Sequence, residues 1–483
     1  MEVYFDNAAT TRAFPEVCRV VAEAMGVGYG NPSSKHNKGM EAEMALRKAS
    51  KTIADSLKAR EKEIWFTSGG TESNNTAIFG VAEAYKRSGR HIVTTKMEHP
   101  SVLEAIKELE KQGFEVTYLG SGVRACGDMG DMPSAARHLH TEAAAGNMAQ
   151  GGFLADMGGT DGGNFIDIRE LTSAIRPDTI MVSIQALNNE IGAVSPIEQI
   201  GKRIKEVNPR TVFHVDAVQA YGKYPIFPGR QYIDLLSASA HKIHGPKGVG
   251  FLYVKDGVKC RPMMYGGGQQ RGVRSGTENV PGILGMAEAA AHYMAHREDI
   301  VGRMEMLRGA LYRGLGTLGA YVGADAVKRG EDDDPGGALV PNVGSQPGGR
   351  GRLGGRAGVP ALTGTPTGVP VLAGTPTQGG IFMVSGPSGG YGAHIVCAAF
   401  AGVRAEVLLH ALEEKGIYVS SGSACSSNHP GTSATLEAVG VPRELLDCAI
   451  RFSFGAFNTP EEVEYTIDVL GELLPKLRRY AAK

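Results

Sequence analysis

The chain has 483 residues, which predicts two domains because a single hydrophobic core rarely grows beyond about 250–300 residues. Its 50 basic and 51 acidic side chains nearly balance, which excludes the strong charge typical of nucleic-acid and anionic-membrane binding proteins. The sequence contains no apolar run of membrane-spanning length, and residues 1–12 lack the basic and then apolar layout of a signal peptide. We therefore expect a cytoplasmic protein with no direct nucleic-acid or membrane partner.

Segments rich in β-formers alternate with segments of helical periodicity through residues 15–261. Strands are predicted over Ile64–Phe66, His91–Thr95, Glu115–Leu119, Ile180–Gln185, Thr211–Val215, Asp234–Ala238 and Val249–Val254. Helices are predicted over Glu72–Arg87, Ser101–Gln112 and Ile197–Val207. This alternation predicts a large α/β domain with a mostly parallel sheet of these seven strands.

The pattern changes after residue 261 to longer helices with fewer strands. We interpret residues 262–483, joined by residues 1–14, as a second and smaller α/β domain.

Two segments, 121–163 and 344–392, do not fit this pattern. The first is rich in Gly, Ala and Met, and the second contains the near-repeat GVPALTGTPT and GVPVLAGTPT. Such compositions bury too little apolar surface to offset the entropy lost on ordering. We expect both segments to be peripheral, solvent-exposed insertions rather than binding elements.

The six cysteines are scattered and include no CxxC pair, which is typical of neither a disulfide framework nor a zinc site. Cys126 lies in the first insertion near two histidines, but that spacing is poor for zinc. We predict no metal site and a reducing compartment. Four of the cysteines are interpreted as packing residues: Cys18, Cys260, Cys397 and Cys448.

Polar, chemically able residues follow five of the predicted strands, where open α/β sheets bind their ligands. In chain order, these strand-end segments are TSGGTESNN, KMEHPSV, ALNNEIG, DAVQ and SAHKIHGPKG. The first contains two glycines at a helix start, where free backbone N–H groups favour an anion. An ordinary helix-capping turn would explain that segment alone equally well.

Lys242 and Asp216 point to a carbonyl cofactor. Lys242 lies between two histidines at a strand end, where a partly desolvated amine can form a Schiff base. Asp216 is either a helix cap or the partner of a pyridinium nitrogen. Together with a phosphate cradle, a Schiff-base lysine and a carboxylate on a ring nitrogen describe pyridoxal phosphate.

At these residues the sequence resembles the cysteine desulfurases of the NifS/IscS type in the class V aminotransferase family. The resemblance runs in order from Val3 to the C-terminus, outside the two insertions. It is carried by YFDNAATT, NPSSKH, FTSGGTESNN, EHPSV, NNEIG, HVDAVQ, SASAHKIHGPKGVGFLYV, GGGQQRGVRSGTEN, VSSGSACSS and IRFSFG. It implies a pyridoxal-phosphate-dependent transferase of fold type I, like aspartate aminotransferase.

The resemblance also implies roles around the cofactor ring. Lys242 would hold pyridoxal phosphate covalently, Asp216 would pair with the ring nitrogen, and Gln219 would bond the ring hydroxyl. His99 would stack on the ring and help to move protons, and Asn189 would touch the ring.

Further implied roles concern the phosphate and the substrate. Arg451 would bind the substrate carboxylate through a bidentate pair, with help from Asn31. Thr277 would reach the phosphate of a neighbouring subunit, which implies a homodimer. The phosphate would be held by Gly70, Thr71, Ser239 and His241.

Cys425 lies among small polar residues in SSGSACSSNHPG, on a segment expected to be a mobile loop over residues 420–432. The resemblance implies that Cys425 takes sulfur from L-cysteine as a persulfide, releases alanine, and passes the sulfur to an acceptor protein. A flexible, accessible loop suits a thiolate that must reach both the substrate in the active site and the acceptor protein. Iron–sulfur scaffolds and thiolation proteins are the expected acceptors.

Two other interpretations remain open from the residues. One is a selenocysteine lyase or an aminotransferase on the same scaffold, although an aminotransferase needs no mobile cysteine. The other is a cofactor-binding scaffold with impaired turnover, because the second insertion ends near the Cys425 loop in the chain.

Overall fold

A seven-stranded sheet forms the centre of the protein, which we describe from a computed structural model. The described residues are 1–121, 165–321, 380–386, 390–421 and 433–481. In chain order the strands are β1 (Val3–Tyr4), β2 (Ile64–Thr67), β3 (His91–Thr95), β4 (Glu115–Leu119), β5 (Thr179–Gln185), β6 (Val212–Asp216), β7 (Leu235–Ser239), β8 (Gly250–Val254), β9 (Ala320–Tyr321), β10 (Ile381–Met383), β11 (Ile395–Phe400), β12 (Ile417–Tyr418), β13 (Ser420–Ser421) and β14 (Ala449–Ser453).

Ten α-helices lie within the described ranges. They are α1 (Pro15–Gly26), α2 (Asn37–Leu57), α3 (Gly70–Tyr85), α4 (Pro100–Lys111), α5 (Ile168–Ala174), α6 (Ile197–Val207), α7 (Val280–Thr317), α8 (Ala405–Glu413), α9 (Ala434–Ala438) and α10 (Pro460–Ala481). Within these ranges, we find no helix with both the length and the apolar character that crossing a membrane requires.

The large sheet has the strand order β2-β8-β7-β6-β5-β3-β4. Strands β4, β3, β5, β6 and β7 pair in parallel, and β8 runs antiparallel between β7 and β2. The predicted mostly parallel, seven-stranded α/β sheet is therefore confirmed. Each observed strand lies within one residue of its predicted bounds, which places Asp216 and Ser239 at the ends of β6 and β7.

Successive side chains along the parallel strands enter two different hydrophobic layers. Ile92 and Met181 pack with the layer that contains α3 and α4, whereas Val93 and Val182 pack with the layer that contains α6. This follows from the two-residue repeat of a strand, which turns neighbouring side chains to opposite faces. Helices therefore cover both faces, and only the edges and strand ends of the sheet remain open to a ligand.

A second sheet forms in the C-terminal part, with the order β13-β14-β11-β10-β9. The N-terminal strand β1 pairs in parallel with β12, so the start of the chain lies beside the C-terminal region. Helix α7 packs against α1 and α2 and also against α10. The division into domains at residues 14 and 261 remains a prediction.

The C-terminal part contains more strands than the sequence predicted, since six are described after residue 262. Most have two or three residues, which is too short for alternation to be visible in the sequence. Strand β10 lies inside the range 344–392 that we interpreted as an insertion, and its three residues are buried. The end of that range is thus part of the small sheet.

His214 ties three parallel strands together inside the large sheet. Its Nδ1 lies 2.8 Å from Ser183 Oγ on β5, and its Nε2 lies 3.0 Å from Ser237 Oγ on β7. Burial lowers the pKa of His214 to about 4, and the nearby Asp216 carboxylate opposes that shift. His214 is therefore neutral in the folded protein at neutral pH.

We expect the free energy of unfolding to decrease as the pH falls from 6.5 to 4. In this window the unfolded chain protonates His214 and the folded protein does not, which costs about 3 kcal/mol at the acid end. Denaturant titrations at several pH values measure the decrease. His214→Gln should show a shallower pH dependence, and His410→Gln on exposed α8 controls for the loss of an imidazole. An equally steep dependence in His214→Gln would contradict the assignment.

Candidate active site

The predicted site residues meet at the carboxyl ends of the parallel strands. Asp216 ends β6, Ser239 ends β7, and His99 follows β3 as the residue that caps α4. Parallel strands end at a common edge of the sheet, so these side chains approach one another although they are far apart in sequence. The expected convergence of the strand ends is present in the structure.

The turn between β2 and α3 requires glycine. Gly69 has φ 150° and ψ −174°, a backbone conformation that essentially only glycine adopts. A Cβ on Gly70 would lie 2.6 Å from Val218 Cγ2, and a Cβ on Gly69 would lie 3.7 Å from Ser239 Oγ. The start of α3 therefore presents its free N–H groups beside the Ser239 hydroxyl, with Thr71 exposed in the first turn. This arrangement can hold a phosphate.

Lys242 lies in a short 3-10 turn after β7, and its amine reaches the N-terminal segment. Lys242 Nζ donates to Ala8 O at 2.6 Å and to Ala9 O at 2.7 Å. Gln219 Nε2 donates to the same Ala8 O at 2.9 Å, and His394 Nε2 lies 3.3 Å from Gln219 Oε1. The amine and the Gln219 amide thus converge on one backbone carbonyl.

A second, fully buried lysine supports this turn from below. Lys223 Nζ donates to the backbone carbonyl of Lys242 at 2.8 Å and to that of Gln219 at 3.3 Å. Burial, with help from the Lys242 charge, lowers the pKa of Lys223 to about 7. The same causes, together with Lys247 and Lys223, lower the pKa of His241 to about 4, so His241 is a neutral imidazole.

A chain of hydrogen bonds joins His99 to Asp216. His99 Nδ1 lies 2.8 Å from Ser101 Oγ, and Asn74 Nδ2 donates to Ser101 Oγ at 2.9 Å and to Asp216 Oδ2 at 2.8 Å. The other carboxylate oxygen of Asp216 accepts from Val218 N at 2.9 Å. Burial lowers the pKa of His99, Asp216 opposes the shift, and Lys242 adds to it.

Arg451 lies on β14 and is buried, and one of its three guanidinium nitrogens has no hydrogen-bond partner among the described residues. Its Nη1 donates to Asn189 O at 2.9 Å, and its Nη2 donates to Asp6 Oδ1 at 2.8 Å. Its Nε–H is buried and finds no acceptor among the described residues. A buried, unsatisfied donor is costly, and a substrate carboxylate would satisfy it.

The described residues that flank the Cys425 segment both attach near Arg451. Ser420 on β13 pairs with Arg451 on β14, and Ser433 Oγ donates to Glu190, which directly follows Asn189. Thr435 Oγ1 donates to the same carboxylate at 3.0 Å, and burial raises the pKa of Glu190.

Several expectations fall outside the described residues. They concern Cys425, the loop over residues 422–432, Cys126, residues 122–163 of the first insertion and residues 344–379 and 387–389 of the second. Two other predicted site residues, Asn31 and Thr277, are exposed. The Oδ1 of Asn31 accepts from Ser33 N at 2.9 Å, and Thr277 lies in the segment before α7. Their roles remain predictions.

The structure adds positioning residues that the sequence analysis did not assign. Asp6 holds Arg451, Asn74 and Ser101 join His99 to Asp216, and His394 contacts Gln219. Asp6, Asn74 and Ser101 lie inside the motifs YFDNAATT, SGGTESNN and EHPSV, so the sequence marked these residues but not the side chains that they contact. No motif marked His394, because only the fold brings it beside Gln219 in the turn after β6.

Comparisons with known proteins agree with this geometry. The sequence matches the family described as Aminotransferase class-V over residues 3–138, 142–329 and 384–466. A cysteine desulfurase IscS of Dictyoglomus turgidum is 35% identical over 477 residues, which are 99% of this chain and 95% of the relative. The solved structure of a NifS-like protein has a TM-score of 0.73 and 32% identity, covering 99% of this chain and 100% of that one. The solved structure of SspA in complex with cysteine has a TM-score of 0.63 and 25% identity, covering 95% and 100%.

The fold and the strand-end site define a pyridoxal-phosphate-dependent enzyme of fold type I. The chain belongs to the class-V aminotransferase family and, within it, is a cysteine desulfurase of the NifS/IscS type. The predicted family, fold class, cofactor and enzyme class are confirmed. The matched ranges include most of residues 121–163, which we interpreted as an insertion, and omit residues 330–383.

The described residues fit pyridoxal phosphate. The glycine turn at the start of α3 leaves no room for a side chain at Gly70, and it offers N–H groups to a phosphate. A buried carboxylate, Asp216, ends β6, and Lys242 follows the end of the neighbouring strand β7 within three residues. The orphaned Arg451 Nε–H adds a place for the substrate carboxylate.

Asp6→Asn should lower the free energy of unfolding by about 2–3 kcal/mol, because it leaves the buried Arg451 charge without its carboxylate. The Arg451 side chain is 3% exposed and the Asp6 side chain 21% exposed. Because Asp6 is partly exposed to solvent, we expect a smaller loss of stability than for a fully buried ion pair. Chemical denaturation measures it. The matched control is Asp256→Asn, whose side chain is 48% exposed in its ion pair with Lys62, and whose loss should have a much smaller effect because solvent screens an exposed pair. Equal effects of the two substitutions would contradict the role of Asp6.

Proposed function

We propose that this cysteine desulfurase removes sulfur from L-cysteine, leaves it as a persulfide on Cys425, and releases L-alanine. One observation carries the proposal: the residues on both sides of the Cys425 segment attach beside Arg451, the expected anchor of the substrate carboxylate. Ser420 pairs with Arg451, and Ser433 bonds Glu190. An aminotransferase would have no use for a cysteine tethered there. The solved relative described as a complex with cysteine supports the substrate.

Each described residue has a task in this reaction. Arg451, held by Asp6 and by the Asn189 carbonyl, binds the substrate carboxylate through its remaining N–H groups. Lys242 would hold the cofactor through its amine and then move the proton at the substrate α-carbon. Asp216 would face the ring nitrogen as a carboxylate. When bound, pyridoxal phosphate supplies a ring that withdraws electrons from that carbon.

The other contacts to the cofactor are proposals of the same kind. Gln219 would bond the ring hydroxyl and His99 would stack on the ring, with Asn189 at the ring edge. The phosphate would lie at the start of α3, between the backbone of Gly70, Thr71, Ser239 and His241.

Sulfur transfer needs a nucleophile and no external oxidant. The Cys425 thiolate attacks the sulfur of the substrate, a sulfur–sulfur bond forms, and the bond between that sulfur and the β-carbon breaks. The electron pair of the broken bond stays on the β-carbon, which takes up a proton, so the carbon product leaves as alanine. The persulfide then passes to a thiol of an acceptor protein, such as an iron–sulfur scaffold or a thiolation protein in the cytoplasm.

Cys425→Ala should reduce alanine and sulfide formation from L-cysteine by at least about 100-fold, because the sulfur then lacks its acceptor. It should keep the yellow absorbance of the bound cofactor. Cys18 lies exposed on α1, so its interpretation as a packing residue is wrong. Cys18→Ala is therefore the matched control and should retain full activity. If Cys425→Ala kept alanine formation, or if the parent protein transaminated instead, the desulfurase proposal would be wrong.

Lys242→Ala should abolish both the absorbance of covalently held cofactor and the formation of alanine. An absorbance spectrum of the parent protein with and without L-cysteine tests cofactor and substrate together. If the parent protein bound the cofactor and cysteine but released no alanine, a scaffold with impaired turnover would replace the enzyme proposal.

We further propose that the enzyme is a homodimer in which Thr277 reaches the phosphate site of the partner. Large apolar side chains are exposed on α1, in the connection after it, on α2 and in the segment before α7. Clusters of exposed apolar side chains are typical of protein–protein interfaces. They are Met25, Val27, Tyr29, Met40, Met44, Met263, Met264 and Tyr265. The segment that carries Tyr265 also carries Thr277.

Tyr265→Glu should convert the dimer to monomer in analytical ultracentrifugation and weaken cofactor binding. Tyr265 is 81% exposed, and burying a carboxylate at a subunit interface is costly. Tyr480→Glu on α10 is a matched control, since Tyr480 is 78% exposed in another part of the surface. A monomeric parent protein, or a Tyr265→Glu dimer as stable as the control, would contradict the interface.

A further inference from the structure

We propose that Asn74 and Ser101 are positioning residues that hold His99 as a neutral imidazole with its proton on Nε2, and that they couple His99 to Asp216. In this state His99 is a hydrogen-bond donor toward the active site and not a base. The assignment of hydrogen-bond directions stands on the chain alone, and its catalytic meaning rests on the proposed function.

The direction of the first bond is fixed by the backbone. Ser101 N donates to His99 Nδ1 at 3.1 Å as the cap of α4, and a backbone N–H can only donate. His99 Nδ1 must therefore be an acceptor. In a neutral imidazole one ring nitrogen carries the proton, so the proton of His99 lies on Nε2.

The remaining directions follow from the carboxylate at the other end. Asp216 in its ionised form only accepts, so the Nδ2 of Asn74 faces it and the Oδ1 of Asn74 points away. That Oδ1 is buried without a partner among the described residues, a cost that the two donor bonds of Nδ2 offset. The second Nδ2 proton is donated to Ser101 Oγ, which leaves the hydroxyl proton of Ser101 for His99 Nδ1.

Protonation of His99 would break this arrangement. An imidazolium carries a proton on both nitrogens, so its Nδ1–H would meet the backbone N–H of Ser101 head-on, although the rotatable Ser101 hydroxyl could turn to accept. Burial of His99 acts in the same direction, and its pKa is lowered although Asp216 opposes the shift. The hydrogen bond from Ser101 N and the burial of the ring thus both favour the neutral form of His99 at neutral pH.

The consequence is a division of labour at the substrate. A neutral imidazole with Nε2–H has no free lone pair on that nitrogen, so His99 can polarise an acceptor but cannot remove a proton through Nε2. Removal and return of the α-proton then fall to Lys242. This differs from the expectation, made from the sequence, that His99 helps to move protons.

The same residues act on Asp216. Its carboxylate accepts from Asn74 Nδ2 at 2.8 Å and from Val218 N at 2.9 Å, so both of its oxygens are held in a fixed orientation. Loss of the Asn74 donor should therefore weaken cofactor binding by about 10- to 100-fold, the range expected for one hydrogen bond to a charged group.

The test is the protonation state of His99 in protein labelled with ¹⁵N-histidine, read by long-range proton–nitrogen correlation in the cofactor-free and the loaded protein. The signal of His99 is assigned by its loss in His99→Gln. We expect Nε2 to show the shift of a protonated nitrogen and Nδ1 that of an acceptor. A ring with its proton on Nδ1, or a charged ring at pH 7, would overturn the proposal.

Three variants then test the positioning residues. Ser101→Ala and Asn74→Leu should raise the pH at which His99 becomes charged, and Asn74→Leu should also weaken pyridoxal-phosphate binding as measured by absorbance titration. The matched control is Asn75→Leu on the next residue of α3, whose amide donates to the carbonyls of Thr71 and Ser101 and not to the chain of bonds between His99 and Asp216. Unchanged His99 titration in Ser101→Ala and Asn74→Leu would contradict the positioning role.

The nitrogen shifts of the cofactor-free protein do not depend on turnover. A failure of the desulfurase proposal would therefore appear in the alanine assay, and a failure of the present inference in the spectra. If Asn74→Leu did not fold, Ser101→Ala and the parent spectrum would still decide the outcome.

Discussion

The parallel pairing of β3, β5, β6 and β7 is the constraint on which the site depends. It brings the carboxyl ends of four strands to one edge of the sheet, so that groups separated by more than a hundred residues become neighbours. Asp216 ends one of these strands and Ser239 the next. Helices cover both faces of the sheet and exclude water from them, so the polar side chains of the site lie at the strand ends.

Charge at this edge is controlled by burial and by backbone carbonyls more than by ion pairs. His99, His214 and His241 are all buried enough to have a lowered pKa. Lys223 is buried against two carbonyls and has a pKa of about 7. Arg451 has a carboxylate partner in Asp6. Burial thus keeps three imidazoles neutral and lowers the positive charge of one lysine in this part of the molecule.

The sequence predicted the seven strands of the large sheet within one residue, because their alternation with helices is regular and they are long enough to show it. The same approach missed β1 and every strand of the C-terminal part, including β11 and β14 with six and five residues, and it placed β10 inside an insertion. Four of the C-terminal strands, β9, β10, β12 and β13, have only two or three residues, which carry no periodicity. Each forms because a partner strand lies beside it: β10 for β9, β11 for β10, β1 for β12 and β14 for β13.

The sequence by itself determined the family, the cofactor and the residue types at the strand ends. Pyridoxal-phosphate chemistry requires a phosphate-binding turn, a lysine and a carboxylate, and these residue types are visible in the sequence before the fold is known. Only the tertiary structure decided which partner each group has. Asp6 meets Arg451 and Asn74 stands between Ser101 and Asp216 because β1 pairs with β12 and α3 packs beside α4. Hydrogen bonds depend on ångström distances between distant segments, and no local pattern in the sequence encodes those distances.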